Sequence, residues 1–441
     1  MGDMSPPHQH RPPDYHRDHA RPRTAPAPST AVMEARLTEL ISPATYALAD
    51  EYRRLGLRWR ILSLPVMVAL LVALIWRQIP SVTTLVETLV REQLLWVPPR
   101  RVSQQAFSQR LQSLPASLIG QVVQQVLPVL QDRSHARSRP LPASITHALQ
   151  HFDRLWVLDA TTLEELFHKV GALREQQGTI PGGKLAGVLD VATKLPVALW
   201  YDPGDPHDRF ALPALQDLLP AQTLLLFDRG THDYRFFDWL TEHACGFITR
   251  AKATTAYRTE QVLVETPRVR DQIVHLGVYR SNPCQHPVRL IEVHIGSQWY
   301  RYLTNALDPT ILSTAQVVDL YGRRWRIEEA FALVKRLLGL SYLWTGTPNG
   351  IQLQLWATWL LYAVLVDICD AVAQELDVCL DQISLEMVYR GLYFFAGAYA
   401  CGQAVDPVTY LAAQDDLGIV KRRRKHRERQ RLHDYPPELI L

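Results

Sequence analysis

The sequence predicts an α/β protein with helical regions before and after a central sheet. Residues 151–250 alternate short apolar runs, which are typical of buried strands, with helix signals. Residues 251–310 show the alternation of half-buried strands, which predicts a β-rich insertion within the core. The flanking stretches 34–150 and 348–415 are apolar and helix-forming. These observations favour a sheet-and-helix core over an all-helical or all-β protein.

Composition allows two or three folded domains and limits the class of protein. The chain has 441 residues, of which 47% are hydrophobic, so it can bury a sizeable core. The formal net charge is only +3, so the protein as a whole is not a polycation. Its basic residues are concentrated in the tail 416–441, where the run 421–431 holds eight Lys and Arg residues. Such a run predicts a disordered tail, and it could also bind phosphate non-specifically.

The first 33 residues are predicted to form a disordered arm. The first thirty contain seven prolines and four histidines, with no apolar core of the kind that a secretory signal needs. The five cysteines form no CxxC pair, and their number is odd. We therefore expect neither a disulfide framework nor a zinc site, which suits a reducing compartment and a cytoplasmic location.

The N-terminal region 34–150 is predicted to be helical, because apolar residues such as Leu37, Leu40 and Ile41 recur at spacings of three and four. Arginines recur along it, among them Arg53, Arg54, Arg58, Arg60, Arg77, Arg91, Arg100 and Arg101. They fit either a module that binds duplex DNA or an ordinary solvated face. The apolar stretches 61–76 and 353–368 are predicted to be buried helices rather than membrane spans.

Two short apolar runs in the core are each followed by an aspartate. Residues 155–158 precede Asp159, and residues 223–227 precede Asp228. Acidic residues at the ends of buried strands lie at the rim of a sheet, where α/β proteins bind their ligands. Each aspartate alone could equally be a turn former or a helix cap.

The elements between these aspartates complete the predicted core. Residues 184–191 and 195–200 are predicted to form a hairpin, and a short helix is predicted at 213–219. Strand, hairpin, helix and strand is the order of a ribonuclease-H-like core. The distance along the chain from Asp228 to Glu328 is too long for a loop. Four β segments fill it, at 262–264, 272–278, 288–295 and 299–304.

The segment 311–347 contains the most informative pattern in the chain. On one continuous helix, Tyr321, Arg324, Glu328 and Lys335 would lie within an arc of roughly 60°. The carboxylate on such a face could hold a divalent metal, and its cationic neighbours could bind phosphate. The alternative is a solvated helix with a few ion pairs.

This spacing, Tyr-x2-Arg-x3-Glu-x6-Lys, resembles the signature of the DDE insertion-sequence transposases known as the insertion-sequence-4 family. Asp159-Ala-Thr-Thr-Leu resembles the first-aspartate motif of that family, and Asp228-Arg-Gly resembles its second. Residues 247–252 resemble the strand after the second motif. The resemblance covers residues 150–345. One departure is Ala160, where glycine is frequent, and we expect it to change loop flexibility rather than chemistry.

The resemblance implies catalysis by Asp159, Asp228 and Glu328, which would hold two Mg²⁺ ions, with Mn²⁺ as a substitute. Asp159 would bridge both ions. The implied reaction cuts and joins the ends of an insertion sequence, with no covalent protein–DNA intermediate. The implied partners are double-stranded DNA, as terminal inverted repeats and target, and a second copy in a synaptic homodimer. The implied location is the nucleoid of a bacterial cytoplasm, and a membrane is not expected.

The resemblance also implies that Tyr321, Arg324 and Lys335 grip phosphate. Arg250 and Lys252 would lie near the DNA end, although a basic strand edge would explain them equally well.

Two further residues carry open alternatives. Trp299 could stack on a flipped base, as in related enzymes that form hairpin ends, or could be a buried structural residue. The neighbour of Glu328, Glu329, is predicted to form a structural ion pair because it is rotated away from the metal-facing direction.

Two alternative functions remain open from the sequence. One is a catalytically inactive, transposase-derived DNA-binding protein, and the other is a ribonuclease-H-like nuclease that does not join strands.

Overall fold

The computed structural model describes residues 30–162, 183–202, 204, 207, 209–337, 344, 347–421, 436 and 439, without the side chains of residues 335–337. Most of the predicted arm and of the predicted basic tail lies outside the described residues. The domain boundaries drawn from the sequence therefore stay predictions.

The described N-terminal region is helical, as predicted. Its helices are α1 (Ala31–Ala47), α2 (Ala49–Arg54), α3 (Leu64–Trp76), α4 (Val82–Arg91), α5 (Gln104–Ser113), α6 (Ala116–Ala136) and α7 (Ala143–Ala148). Serine side chains cap α4 and α5 by accepting hydrogen bonds from the first turns. Helix α3 has Pro65 in its first turn and is buried over almost its whole length. The sequence prediction of a buried helix is therefore confirmed there.

A single mixed sheet forms the centre of the molecule. Its strands are β1 (Arg154–Thr162), β2 (Lys184–Asp190), β3 (Pro196–Asp202), β4 (Thr223–Phe227), β5 (Gly246–Arg250), β6 (Tyr257–Glu265), β7 (Val269–Leu276), β8 (Val288–Ile295) and β9 (Gln298–Thr304). Their spatial order is β3-β2-β1-β4-β5-β9-β8-β7-β6. Strands β1, β4 and β5 are parallel to one another, and the remaining neighbours are antiparallel. The β2–β3 hairpin is confirmed.

The predicted β insertion continues the core sheet rather than forming a separate one. Residues Ile248 to Arg250 of β5 pair with Tyr302 to Thr304 of β9. Because β9 starts at Gln298, its first four residues extend beyond the end of β5. The insertion therefore projects past the edge at which the parallel strands end.

Helices cover the sheet and complete the core. Helices α8 (Leu212–Leu218) and α9 (Tyr234–Glu242) follow β3 and β4, and α10 (Thr314–Gly322) and α11 (Trp325–Leu337) follow β9. The C-terminal part adds α12 (Pro348–Glu375), α13 (Leu385–Ala400) and α14 (Pro407–Ala412). Helix α12 lies at the centre of the helical part, in contact with α3, α5, α6, α11, α13 and α14. The N-terminal and C-terminal helices therefore share one core.

Among the described helices, α12 is long and apolar enough to cross a membrane, and α5 with α6 would qualify only as one segment bent by 78°. In α12, 89% of the apolar window is buried inside the protein. This is the burial of a core helix, as the sequence predicts for residues 353–368.

Candidate active site

The two aspartates reach one edge of the sheet by different routes. Asp228 directly follows β4, as predicted. Asp159, in contrast, lies inside β1, which continues to Thr162 because it pairs with β2, with Asp159 opposite Gly187. The prediction that Asp159 ends its strand is therefore wrong. Since β1 and β4 are adjacent and parallel, both carboxylates still lie towards the same edge.

Glu328 lies in the first turn of α11, but the continuous helix predicted from Tyr321 to Lys335 is broken. Helix α10 ends at Gly322, and Arg323 and Arg324 form a turn before α11 begins at Trp325. Glycine is a poor helix residue, which favours a break here. In the turn, Arg323 forms an ion pair with Asp319, and Arg324 forms one with Asp159. The prediction of one helix is therefore wrong, although its key side chains still converge.

Two side chains of this turn region connect the three carboxylates. The guanidinium of Arg324 donates to Oδ2 of Asp159 at 3.0 Å and to Oε1 of Glu328 at 2.9 Å. The hydroxyl of Tyr321 donates to Oδ1 of Asp228 at 3.2 Å. The guanidinium also lies 5.8 Å from the centre of the Tyr321 ring. Three carboxylates from three elements therefore meet around one arginine and one tyrosine.

Burial and neighbouring charges shift the pKa values of groups in the site. The pKa of Asp159 is raised to about 6, mainly by burial, with Arg324 and the backbone hydrogen bond from Ala160 lowering it and the negative charges of Glu328 and Asp228 adding smaller upward effects. Burial likewise raises the pKa of Tyr321, so that its hydroxyl stays protonated at neutral pH. Arg324 is 6% exposed and is the main source of positive charge beside these acids. It balances the charges of Asp159, which is largely buried, and of Glu328, whose side chain is partly exposed.

The donors of the site suit a hard divalent cation, but their arrangement is not a finished metal site. Carboxylate oxygens are the ligands that Mg²⁺ and Mn²⁺ prefer. Within the described residues, no group of three or more His, Cys, Asp and Glu side chains is close enough to hold one ion as it stands. Arg324 bridges Asp159 and Glu328 instead. Ion binding would require the guanidinium to withdraw or to share the carboxylates.

Close packing against the sheet fixes the position of α11. Ile327 and Phe331 are buried between α11 and strands β1 and β2. A Cβ atom on Gly187 of β2 would lie 3.1 Å from a methyl carbon of Leu199 and 3.5 Å from the Phe331 ring. The tight contact of such a Cβ atom is with Leu199 of β3, so glycine at this position relieves crowding within the sheet. Ile327 and Phe331 hold α11 against β1 and β2, and this packing places Glu328 near Asp159.

A second cluster of ion pairs anchors the turn formed by Arg323 and Arg324. Asp381 pairs with Arg323, Arg326 and Lys194. Burial alone would raise the pKa of Asp381, but Lys194 and the two arginines outweigh it and lower this pKa to about 2. This cluster was not predicted from the sequence because its members lie in three distant segments. It anchors the turn that carries Arg324 to the C-terminal helical part.

The neighbour of Glu328 has the role expected for it. Glu329 is exposed and accepts hydrogen bonds from Arg326 at 2.9 and 3.0 Å, with Lys421 at 3.8 Å. The prediction of a structural ion pair is confirmed.

The remaining residues predicted to bind DNA lie on β5 or just after it, on β9 and on α11. The guanidinium of Arg250 lies 5.3 Å from the centre of the Tyr300 ring, and its charge acts on Tyr321. Lys252 is exposed just beyond β5. Trp299 is 44% exposed near the tip of the β8–β9 hairpin, so the alternative of a buried structural tryptophan is wrong. The Lys335 side chain lies outside the described residues, and DNA binding by all four stays a prediction.

Comparisons with known proteins agree with this site. Residues 150–364 match the family model described as the transposase DDE domain. The matched segment contains Asp159, Asp228 and Glu328. Membership of the insertion-sequence-4 family stays a prediction.

Among curated proteins, the chain is similar to the probable transposase for insertion sequence element IS5377 of Geobacillus stearothermophilus. The two are 25% identical over 239 residues, which is 52% of this chain and 60% of the relative. The match thus spans less than two thirds of the relative. Among solved structures, the piggyBac transposase synaptic complex with hairpin DNA aligns with a TM-score of 0.43 and 10% identity, over 94% of this chain and 88% of that one.

Proposed function

We propose that this protein is a DNA transposase that cuts and joins the ends of an insertion sequence. The observation that carries the proposal is the convergence of Asp159, Asp228 and Glu328, from three elements, inside the segment that matches the transposase DDE domain. The similarity to an insertion-sequence transposase supports it.

The strand order supports a ribonuclease-H-like core as part of this proposal. Strands β3-β2-β1-β4-β5 combine an antiparallel hairpin with parallel strands β1, β4 and β5, and the acidic residues lie on or after β1 and β4. This is the strand, hairpin, helix and strand order expected from the sequence. Strands β6 to β9 are then the inserted part, between the second aspartate and the glutamate.

In the proposed reaction, Asp159, Asp228 and Glu328 hold Mg²⁺ or Mn²⁺. When bound, two such ions would activate the attacking oxygen and stabilise the leaving oxygen of a phosphodiester. Water is the first nucleophile and frees a 3′-hydroxyl at the end of the element. That hydroxyl then attacks the target DNA in a transesterification. The protein supplies no covalent nucleophile, and its task is to hold charge and position DNA.

In this proposal, Arg324 and Tyr321 bind the phosphates of the DNA. A guanidinium can pair two phosphate oxygens at once, so Arg324 has a second set of acceptors if it leaves the carboxylates. We propose that DNA phosphate and metal together replace the internal ion pairs. The partners are the terminal inverted repeats and the target, and two copies act together in a synaptic homodimer.

The pKa of Asp159 leads to a pH prediction for metal binding. This pKa is raised to about 6, so the metal-free site holds a proton at lower pH and releases it when a cation binds. We expect the apparent Mn²⁺ affinity to fall up to about tenfold per pH unit below 6, and to change little above pH 7. The Mn²⁺-induced rise in thermal midpoint, measured from pH 5 to 8, checks this. A shift that does not depend on pH would contradict it.

The proposed function is tested with labelled DNA that carries the inverted repeats flanking the gene. Purified protein is incubated with this DNA and a target plasmid, with Mg²⁺, with Mn²⁺ and with chelator. We expect nicking at the element end and joined products only when metal is present. Hydrolysis without joining would favour a nuclease. Specific binding without cleavage under any metal would favour an inactive DNA-binding protein.

A further inference from the structure

A basic groove lies next to the candidate active site and has no part in the chemistry described above. It is a cavity of about 470 Å³ among four loops, which follow β3, β4, β5 and β7. The cations that line it are Arg209, Arg235, Lys252 and Arg280. We refer to it as the basic groove. Of these cations, only Lys252 was predicted from the sequence to lie near DNA, because the other cations lie on distant loops.

The charge of the basic groove is strongly one-sided. Among the described residues that line it, Asp233 is the one carboxylate, and Arg209 pairs with it. Within the described residues, Arg235, Lys252 and Arg280 form no ion pair. Burial lowers the pKa of the lining His232 to about 4, and Lys252 and Arg280 contribute to this, so the imidazole is neutral at pH 7. Such a lining suits an anionic ligand and not an apolar one.

The groove is held in shape by buried contacts. The Asp238 carboxylate, in α9, accepts backbone hydrogen bonds from Gln285 at 2.9 Å and His286 at 3.0 Å, which fixes the loop that bears Arg280. Gly277 begins this loop at φ +78°, and a Cβ atom there would lie 2.8 Å from the Tyr234 ring. The Arg280 guanidinium lies 5.9 Å from the centre of that same ring. These contacts fix the loop that bears Arg280, while the four cations themselves are exposed to solvent.

The groove is continuous with the candidate active site. Lys252 lines it and also lines a shallower depression that contains Asp228, Arg229 and Gly230. A chain of phosphates leaving Asp228 would therefore meet Lys252 first, and Arg280 and Arg209 would follow.

We propose that the basic groove binds the phosphates of a single DNA strand that extends beyond the cleaved position. This inference deepens the proposed function and rests on it. The ligand class is a polynucleotide single strand. A free phosphate or a mononucleotide would use the same cations but would not reach Asp228 and Arg280 together.

The test measures binding without metal, so that it does not depend on cleavage. Fluorescence anisotropy compares a blunt duplex with the same duplex carrying a single-stranded thymidine extension on either strand, in chelator. We expect the wild type to prefer one extended duplex. Arg280→Gln should lose several-fold of that preference and lower the salt slope by about 0.7 for each phosphate that the variant no longer neutralises. The matched control is Arg258→Gln, an exposed arginine on β6 outside the groove.

A variant that gains affinity separates an effect on DNA binding from a loss of folding. Asp233→Asn removes the groove's carboxylate, frees Arg209, and keeps an N-cap side chain for α9. We expect it to bind the extended duplex more tightly than the wild type does, with a steeper salt dependence. Equal binding of blunt and extended duplexes by the wild type would contradict the proposal for the basic groove but not the proposed function. No binding of any DNA would overturn the proposed function as well.

Discussion

Replacing Glu328 with glutamine is expected to lower metal-dependent cleavage of the element end by roughly 10²–10³-fold. Glutamine keeps the size of the side chain but removes the charge that would hold a divalent cation. Such ions contribute several kcal/mol of charge stabilisation in phosphoryl transfer, and each 1.36 kcal/mol is about tenfold in rate. The measurement is the rate of nicking of labelled DNA at saturating enzyme and Mg²⁺.

The chain offers a matched control in the next residue. Glu329→Gln makes the same charge change on the same helix, at an exposed position where the carboxylate pairs with Arg326. Exposed pairs of this kind contribute at most about 1 kcal/mol to stability, so we expect cleavage within about twofold of the wild type. Full activity of Glu328→Gln would refute the assignment of three carboxylates. An equal loss in both variants would point to damage of α11 instead.

DNA binding separates a chemical role from a structural one. In the metal-free protein, Glu328 holds one side of the Arg324 guanidinium. Glutamine weakens this hold and leaves the cation more available to phosphate. We therefore expect Glu328→Gln to bind the DNA end in chelator at least as tightly as the wild type, while it fails to cut. A protein that neither binds nor cuts would be misfolded, and circular dichroism would reveal this.

Local signals were sufficient to predict most elements of the core. The run 223–227 is wholly apolar after its first residue and becomes the buried strand β4, with Asp228 just beyond it. The hairpin β2–β3 and helix α8 also follow from patterns within a few residues. Such elements depend on burial and turn residues that are visible in a short window.

Elements set by distant contacts were predicted less well. Residues Ala160 to Thr162 look turn-prone in sequence, yet they continue β1 because Lys184 to Ala186 of β2 supply hydrogen-bond partners. The break after Gly322 has a local signal in the glycine itself, but its geometry depends on Arg323, which pairs with Asp319 and Asp381. Pairings across the chain override local preference, and a single sequence does not display them.

The same reasoning applies to the candidate site. The spacing of the pattern selected Tyr321, Arg324 and Glu328 correctly as neighbours, although they lie on two helices and a turn. It did not predict that Arg324 would bridge two of the acids. The side-chain pairing depends on how β1 and α11 approach each other, which is a property of the packed fold.

The largest expected loss of stability concerns a buried ion cluster far from the site. Asp367 of α12 is fully buried, and its carboxylate pairs with Arg36 of α1 at 2.8 Å and with Arg137 after α6 at 2.6 Å. Asp370, one turn further along, pairs with Arg137 at 3.0 Å and with Arg139. This cluster joins the N-terminal helices to the C-terminal helical part. Both parts share α12, so the cluster lies in their common core.

Asp367→Asn should therefore lower the free energy of unfolding by about 3–5 kcal/mol, because Arg36 and Arg137 lose the negative charge that they pair with. The measurement is the urea midpoint, with the slope of the transition expected to stay the same. Glu375→Gln, at the exposed end of α12, is the control and should change the free energy of unfolding by at most about 0.5 kcal/mol.

A double-variant cycle shows whether the loss belongs to the pair. In an Arg137→Met background, Asp367 is already without one partner, so Asp367→Asn should cost less than it does in the wild type. The difference between the two costs is the coupling energy of Asp367 with Arg137. A cost that is the same in both backgrounds would mean that Asp367 is not coupled to Arg137, and its contribution would then come from Arg36 or from packing.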